Sequence, residues 1–220
     1  MIKCKIISVL NSENERYNKR NKVINSFMET FKNESIKLEI SEAITPNDWK
    51  LIDDKVQYLN YIFNKDERLP VHPYLISNYL SHFKIWNSKE STLILEDDII
   101  FDIAIFNRLL KLIEKFNDIK IDNKLLYLQS SCPWRENFPD KQYQSLINFS
   151  DDFWIIPNTE FDVSGTAAYY INTNDNLLNI LTHKVGATDG ILHNLMKNNS
   201  LIYFLPKDFN NWFKLNKNLQ

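Results

Sequence analysis

The stretch Thr92-Leu93-Ile94-Leu95-Glu96-Asp97-Asp98, residues 92–98, places a short apolar run directly before three carboxylates. A continuous apolar run of this length predicts a β-strand that is covered on both faces. In sheets of the α/β class, ligands bind at the carboxyl ends of the strands. Because the acidic tripeptide lies at such an end, it is the first candidate for a functional site.

Outward from this strand, apolar runs alternate with segments of helical spacing. The pattern predicts further strands at residues 3–10, 37–40, 125–128, 153–156, 163–171 and 201–205. It predicts helices from a capping box at residues 12–15 onward and at residues 49–63, 74–86, 105–116, 177–181 and 190–197. This alternation predicts an α/β fold with a mainly parallel central sheet flanked by helices, in a single domain over residues 1–220.

The composition argues against several classes of protein. Lys and Arg number 26 and Asp and Glu 28, so the net charge is −2 and no nucleic-acid partner is expected. The three glycines, Gly165, Gly186 and Gly190, form neither a G-x-G-x-x-G fingerprint nor a Walker A loop. No apolar run reaches the length of a membrane span. Cys4 and Cys132 lack metal-ligand spacing, which indicates free thiols and favours a cytoplasmic location.

The acidic tripeptide has a chemistry that its residue types suggest. In an extended segment, Glu96 and Asp98 point to one side and Asp97 to the other. Adjacent carboxylates repel one another unless a cation or donor groups stabilise them. One or two of them could hold Mn²⁺ or Mg²⁺, which prefer oxygen ligands and bridge to phosphate oxygens. The alternative is a solvated acidic turn without a ligand.

The flanking residues resemble those of a known family. Ser81-His82-Phe83-Lys84-Ile85-Trp86 followed by residues 93–98 is similar to the core signature of glycosyltransferase family 25. Further segments agree in the expected order, namely Leu10 with Arg16, Leu126-Tyr127-Leu128, Gly165-Thr166-Ala167-Ala168-Tyr169-Tyr170-Ile171, Thr188-Asp189 with Leu192, and Ile202-Tyr203 to Pro206. The chain departs from the family pattern at Val9, Tyr74 and Ser77.

The resemblance implies a GT-A-like fold that binds a nucleotide-diphospho-sugar. It implies a UDP-sugar donor, usually UDP-galactose, and transfer of the hexose with inversion to a glycan or glycolipid acceptor. The implied site residues are a metal site at Asp98 and Asp97, donor-binding residues Leu10, Arg16, Glu96, Asp97, Gly165 and Thr166, the catalytic base Asp189, and the supporting residues Ser81 and His82.

Several alternatives remain open at this point. Asp189 could instead be the N-cap of the helix that follows it, and Arg16 an exposed helix residue. The apolar C-terminal side chains Phe209, Trp212 and Phe213 could contact a membrane surface or belong to a docked helix. The two rival functions are a metal-dependent phosphoester hydrolase and a non-catalytic protein that binds a glycan or a partner.

Overall fold

The computed structural model describes residues 1–10, 12–48, 73–130, 145–157, 165–182 and 188–219. In chain order, its elements are β1 (Ile2–Ser8), α1 (Glu15–Thr30), β2 (Ile36–Glu42), α2 (Pro73–Trp86), β3 (Ser91–Glu96), α3 (Ile103–Asp118), β4 (Lys124–Tyr127), β5 (Ile147–Asn148), β6 (Phe153–Ile155), β7 (Ala168–Asn172), α4 (Asp175–Thr182), α5 (Thr188–Lys197) and β8 (Ile202–Pro206), followed by short 3₁₀ helices at Phe209–Asn211 and Lys217–Leu219. The helix predicted over residues 49–63 lies outside the described residues.

The strands form one mixed sheet with the order β2-β1-β3-β7-β4-β8-β6-β5. The pairs β1–β2, β1–β3 and β4–β8 are parallel. The pairs β3–β7, β4–β7, β5–β6 and β6–β8 are antiparallel, so the α/β class is confirmed but the prediction of a mainly parallel sheet is wrong. The apolar pattern of a buried strand does not show whether it runs parallel or antiparallel to its neighbour. The connection between β5 and β6 is short, and only antiparallel strands can be joined in this way.

Helices cover both faces of the sheet, because alternate residues of each strand point to opposite sides. Leu93 and Leu95 of β3 belong to the core that α1 and α3 contribute to, whereas Ile94 belongs to the core that includes α2, α4 and α5. The aromatic rings of Phe27 and Phe106 lie 4.8 Å apart in the first of these cores. The three-layer arrangement explains why β3 is apolar on both faces.

Helix α1 begins two residues later than the capping-box pattern indicated. The Asn14 side chain accepts a hydrogen bond from the Arg16 backbone N–H at 2.9 Å, so Asn14 is the N-cap rather than Ser12. Asn and Ser cap helices about equally well, and the sequence pattern alone does not rank them. The apolar residues at helical spacing are buried, namely Ile24 and Phe27 of α1 and Phe31 at its C-cap.

The C-terminal segment is folded onto the core. Phe209, Trp212, Phe213 and Leu215 are buried, so these side chains do not present an apolar face to a membrane. The docked alternative is therefore the one observed, in the form of 3₁₀ turns and isolated bridges to Ile99 and Gln129 rather than a helix. Within the described part of the chain, no helix has the length and apolar character needed to cross a bilayer.

Cys4 is buried in β1 and is a free thiol, as predicted. Burial raises the pKa of this thiol far above its ordinary value, so it behaves as a small apolar filler. Cys132 lies outside the described residues, and its free state remains a prediction.

Candidate active site

A cavity of about 720 Å³ lies at the carboxyl ends of the three neighbouring parallel strands β1, β2 and β3. Its lining includes Leu10, Ser81, Glu96 and Asp97 among the residues predicted from the sequence. A volume of this size falls within the range of small-molecule and cofactor sites. The predicted location of a ligand site, at the strand ends next to the acidic residues, agrees with this cavity.

Glu96, the last residue of β3, points toward α2. Its Oε1 atom accepts hydrogen bonds from Asn78 Nδ2 at 3.2 Å and Thr166 Oγ1 at 3.0 Å, and it lies 3.1 Å from His82 Nε2. Burial raises the pKa of the Glu96 carboxyl, but the hydrogen bonds from His82, Asn78 and Thr166 hold it below its ordinary value. Glu96 is therefore a charged, well-anchored carboxylate at the cavity wall.

His82 is fully buried and supports Glu96 from within the core. Its Nδ1 atom lies 2.7 Å from Tyr169 Oη, which also accepts a hydrogen bond from Trp86 Nε1 at 3.0 Å. Because the indole only donates, the Tyr169 hydroxyl is free to donate to His82 Nδ1, and His82 Nε2–H then donates to Glu96. The predicted supporting role of His82 agrees with this geometry.

Ser81 supports a different segment from its neighbour His82. Its Oγ accepts a hydrogen bond from the Ile44 backbone N–H at 2.9 Å and donates to the Ser77 carbonyl at 2.7 Å. Ser81 therefore fixes the chain just after β2, at the cavity edge, rather than the strand that bears the acidic residues.

Asp97 points away from Glu96, toward α1, as the alternation of an extended chain predicts. Arg20 Nη1 donates to its Oδ1 at 2.5 Å and Ser8 Oγ to its Oδ2 at 2.8 Å. Arg20 and Asp97 are both buried. Burial raises the pKa of the Asp97 carboxyl, although Arg20 and Ser8 oppose the rise. Both Asp97 oxygens therefore have partners inside the protein.

Arg20 was not identified from the sequence, although a signal was present. It lies on the same helical face as Tyr17 and Ile24, where an arginine is unusual unless it pairs with a buried carboxylate. Its Nε also donates to the Leu219 carbonyl at 2.9 Å. Arg16 donates to the same carbonyl at 3.0 Å from an exposed position, so the structure does not place Arg16 in the cavity lining.

Replacing Arg20 with Met is expected to lower the free energy of unfolding by about 3–5 kcal/mol, because it leaves a buried carboxylate without its counter-charge. Arg16→Met is the matched control, since Arg16 is exposed and shares only the Leu219 contact. The control should change stability by less than about 1 kcal/mol. Urea unfolding followed by tryptophan fluorescence measures both. Equal losses in the two variants would contradict the assigned Arg20–Asp97 pairing.

Asp98 lies in the turn after β3. The prediction that Asp98 points to the same side as Glu96 is wrong, because Asp98 points to the same side as Asp97. Its Oδ2 is 3.7 Å from Arg20 Nη2, because the strand ends at Glu96 and the chain turns. Burial and the neighbouring Glu96 charge raise the pKa of the Asp98 carboxyl to about 6, although Arg20 opposes the rise. Its Oδ1 is buried with no hydrogen-bond partner in the described structure.

The orphaned Asp98 oxygen fits a bound cation, which would supply the missing partner. Among the described residues, no group of three or more His, Cys, Asp or Glu side chains could hold a metal ion by itself. Mg²⁺-type sites at phosphates commonly use one or two carboxylates and complete their coordination with phosphate oxygens and water. The geometry favours Asp98 over Asp97 as the carboxylate with a free oxygen.

Gly165 and Thr166 lie beside Glu96, where the chain enters β7. Gly165 has φ of 99°, and a Cβ atom there would lie 2.4 Å from Gln129 Nε2. The Gln129 side chain accepts a hydrogen bond from the Ala167 N–H at 2.8 Å, which fixes it against the glycine. Glycine is therefore required at position 165 by both backbone conformation and space.

Gly165→Ala is expected to lower the free energy of unfolding by about 2–4 kcal/mol, from backbone strain and the clash with Gln129. Gly190→Ala is the matched control, because nothing lies within 4 Å of a Cβ built there, inside α5. The control should stabilise the protein by about 0.5–1 kcal/mol. Chemical denaturation compares the two, and a neutral Gly165→Ala would show that the tight approach is not present in solution.

Asp189 is the second residue of α5, so it lies inside the first turn rather than at the N-cap position. Its Oδ2 accepts a hydrogen bond from the Gly165 N–H at 3.4 Å and its Oδ1 from the Gly190 N–H at 2.8 Å. The preceding Thr188 Oγ1 donates to Asn78 Oδ1 at 2.5 Å. The structure thus brings Asp189, Gly165 and Thr166 to the Glu96 side of the acidic motif.

Asn78, Ser8 and Gln129 complete the site, and sequence reasoning did not find them. Each is an ordinary polar residue within or after a predicted helix or strand, and its role depends on a partner at least 18 residues away in sequence. The sequence did contain a signal for Asn78, since it lies four residues before His82 and therefore on the same face of the predicted helix.

Comparison with models of protein families identifies the family of the chain. Residues 1–189 of the chain match the family model described as glycosyltransferase family 25 (LPS biosynthesis protein), which covers well over half of its length. No curated protein matches the chain.

Proposed function

Since this chain belongs to glycosyltransferase family 25, we propose that it transfers a hexose, galactose being the first candidate, from a UDP-sugar to a glycan or glycolipid acceptor. We propose further that the reaction depends on Mn²⁺ or Mg²⁺, proceeds with inversion and takes place on a GT-A-like fold. The three parallel strands β2, β1 and β3, with the cavity at their carboxyl ends, support the fold assignment.

The observation that carries the proposal is the acidic turn at the end of the cavity. Glu96 and Asp97 line a cavity of about 720 Å³, and the adjacent Asp98 has a buried oxygen that has no hydrogen-bond partner among the described residues. A dianionic diphosphate would not bind next to three carboxylates unless a cation neutralised the repulsion. The arrangement therefore suits a donor that arrives with a divalent ion.

In this mechanism one residue would hold the cation, one keeps the turn in place and one would accept a proton. Asp98 would hold the cation, which when bound offsets the negative charge that grows on the departing UDP. Asp97 is fixed by Arg20 and Ser8 and keeps the turn in place. Asp189 would accept the proton of the acceptor hydroxyl while the hydroxyl oxygen attacks the anomeric carbon of the donor. The attack comes from the side opposite the diphosphate, so the configuration of that carbon is inverted.

The remaining predicted donor contacts are distributed around this centre. Leu10 and Glu96 line the cavity, and the Thr166 side chain, next to Gly165, donates from Oγ1 to the Glu96 carboxylate. We retain Arg16 as a proposed diphosphate contact through its terminal guanidinium nitrogens, since guanidinium groups suit phosphate oxygens.

Calorimetric titration of the parent protein with UDP, UDP-galactose and UDP-glucose, with and without Mn²⁺, tests the proposal. Donor binding that requires the metal, followed by hexose addition to oligosaccharide acceptors in mass spectrometry, is the expected result. Glycan binding that is indifferent to UDP and Mn²⁺ would indicate a non-catalytic binding protein. Nucleotide cleavage at the same rate with and without any acceptor would indicate the phosphoester hydrolase.

A further inference from the structure

A hydrogen-bonded path joins the acidic motif to the candidate base through helix α2. Asn78 Nδ2 donates to Glu96 Oε1 at 3.2 Å, and Asn78 Oδ1 accepts from Thr188 Oγ1 at 2.5 Å. Thr188 is 1% exposed and is bonded through the peptide chain to Asp189. A single amide side chain therefore links the Glu96 carboxylate to the start of α5.

A second path joins the same two carboxylates through the entry to β7. Asp189 Oδ2 accepts from the Gly165 N–H at 3.4 Å, and the next residue, Thr166, donates from Oγ1 to Glu96 Oε1 at 3.0 Å. Together the two paths form a closed ring through Glu96 and Asp189. In a closed ring, each contact restricts the geometry of the others, and we call this feature the carboxylate ring.

We propose that Asn78 and Thr188 are positioning residues of the transfer reaction, which hold the Asp189 carboxylate at a fixed place relative to Glu96. This inference rests on the proposed function. Neither residue needs to touch a reacting atom, because each acts through the carboxylate that it positions.

The chemistry of the side chains suits this role. An amide presents a donor at one end and an acceptor at the other, so Asn78 can bond a carboxylate and a hydroxyl at the same time. An aspartate at this position would repel Glu96, and an alanine would leave both partners without the bond. Because Thr188 is buried, water does not replace its hydrogen bond to Asn78 without a cost in free energy.

The ring also includes the start of α5, the element that determines the direction of Asp189. An exposed aspartate on a helix end has freedom to turn, whereas Asp189 is tied on one side by Gly165 and on the other by the Thr188–Asn78 bond. Small displacements of a catalytic group lower the rate of reaction steeply, by up to about 100-fold for about 1 Å. A positioning effect should therefore appear in kcat and leave donor affinity nearly unchanged.

The test compares Thr188→Val, which has nearly the same shape but no hydroxyl, with Thr188→Ser, which keeps the hydroxyl. The matched control is Thr173→Val, because Thr173 is also buried and donates a single hydrogen bond, to the Glu90 carbonyl at 3.2 Å. Each variant is assayed for transfer kinetics, for the Kd of the UDP-sugar with Mn²⁺ and for its melting temperature.

We expect Thr188→Val to lower kcat by about tenfold or more, with the donor Kd within about twofold of the parent. Thr188→Ser should recover most of the rate, and Thr173→Val should lose stability without losing kcat. Asn78→Ala should lower kcat by a similar factor. Because Asn78→Ala and Thr188→Val break the same hydrogen-bonded path, the double variant should have a kcat no lower than that of the slower single variant.

The positioning role would be overturned by any of three results. These are a kcat of Thr188→Val equal to that of the parent, an equal loss of kcat in Thr173→Val, and a kcat of Thr188→Ser as low as that of Thr188→Val. Such results would leave the proposed function intact, because the parent would still transfer the hexose. A parent that neither binds a UDP-sugar nor transfers would instead refute the proposed function, and the positioning role with it.

Discussion

Asp189→Asn is expected to lower the rate of hexose transfer by roughly 10²–10⁴, which is the usual contribution of a positioned general base. An amide keeps the shape of the side chain, and its single oxygen can accept the shorter of the two hydrogen bonds, from the Gly190 N–H at 2.8 Å, while the 3.4 Å bond from the Gly165 N–H is lost. One long hydrogen bond contributes only about 1 kcal/mol, so fold and donor binding should be retained. An amide cannot take up a proton at neutral pH. Single-turnover assays with donor and acceptor at saturation measure the loss directly.

The matched control for this variant is Asp175→Asn, in the first turn of α4. Asp175 is exposed and its only described ion pair is with Lys89, so its amide variant should transfer at the parent rate. Hydrolysis of the donor by water should fall less than transfer in Asp189→Asn. A fall of less than about tenfold in transfer would refute the base assignment. Glu96 and Asp162, the latter outside the described residues, would then be the next candidates.

Asp98→Asn is expected to weaken Mn²⁺-dependent UDP binding on the order of 100-fold, the scale of a lost charge-assisted contact. The fold should not suffer. Burial and the Glu96 charge raise the Asp98 pKa to about 6, so ionisation of this carboxyl is less favourable in the native protein than in the unfolded chain, and a neutral amide removes that cost. Calorimetry with UDP and Mn²⁺, together with urea unfolding, separates the two effects.

Asp102→Asn serves as the control for the Asp98 variant. Asp102 lies four residues further along, caps α3 by accepting from the Ala104 N–H at 2.7 Å, and is exposed. Asn caps a helix about as well as Asp, so this variant should keep both stability and metal-dependent binding. If Asp98→Asn binds UDP and Mn²⁺ as tightly as the parent, Asp98 is only a second partner of Arg20 and the metal site lies elsewhere.

The two predicted roles rest on different kinds of information. The Asp98 assignment stands on the residue type, its place after β3 and an oxygen for which the described part of the chain supplies no partner. The Asp189 assignment stands on a family motif and on a place beside Gly165, in the ring that includes Glu96. Failure of one assignment would therefore leave the other standing.

Local periodicity made several features predictable. The apolar run of β3 and its acidic end specified a covered strand with a site at its carboxyl end, and the cavity lies there. The alternation of an extended chain correctly separated Glu96 from Asp97. These properties depend on neighbours within a few residues, which is the range over which sequence patterns are informative.

By itself, the sequence determined the α/β class, the position of the acidic residues at the end of β3 and the family, because strand periods, helix faces and ordered motifs are local signals. Only the tertiary structure decided that β7 runs antiparallel between β3 and β4, that Arg20 pairs with Asp97, and that Asn78 meets Thr188 across 110 residues of sequence. Strand direction and polar pairing are fixed by the burial of many distant groups at once. Each of those groups must find a partner inside the fold, and no single segment contains that information.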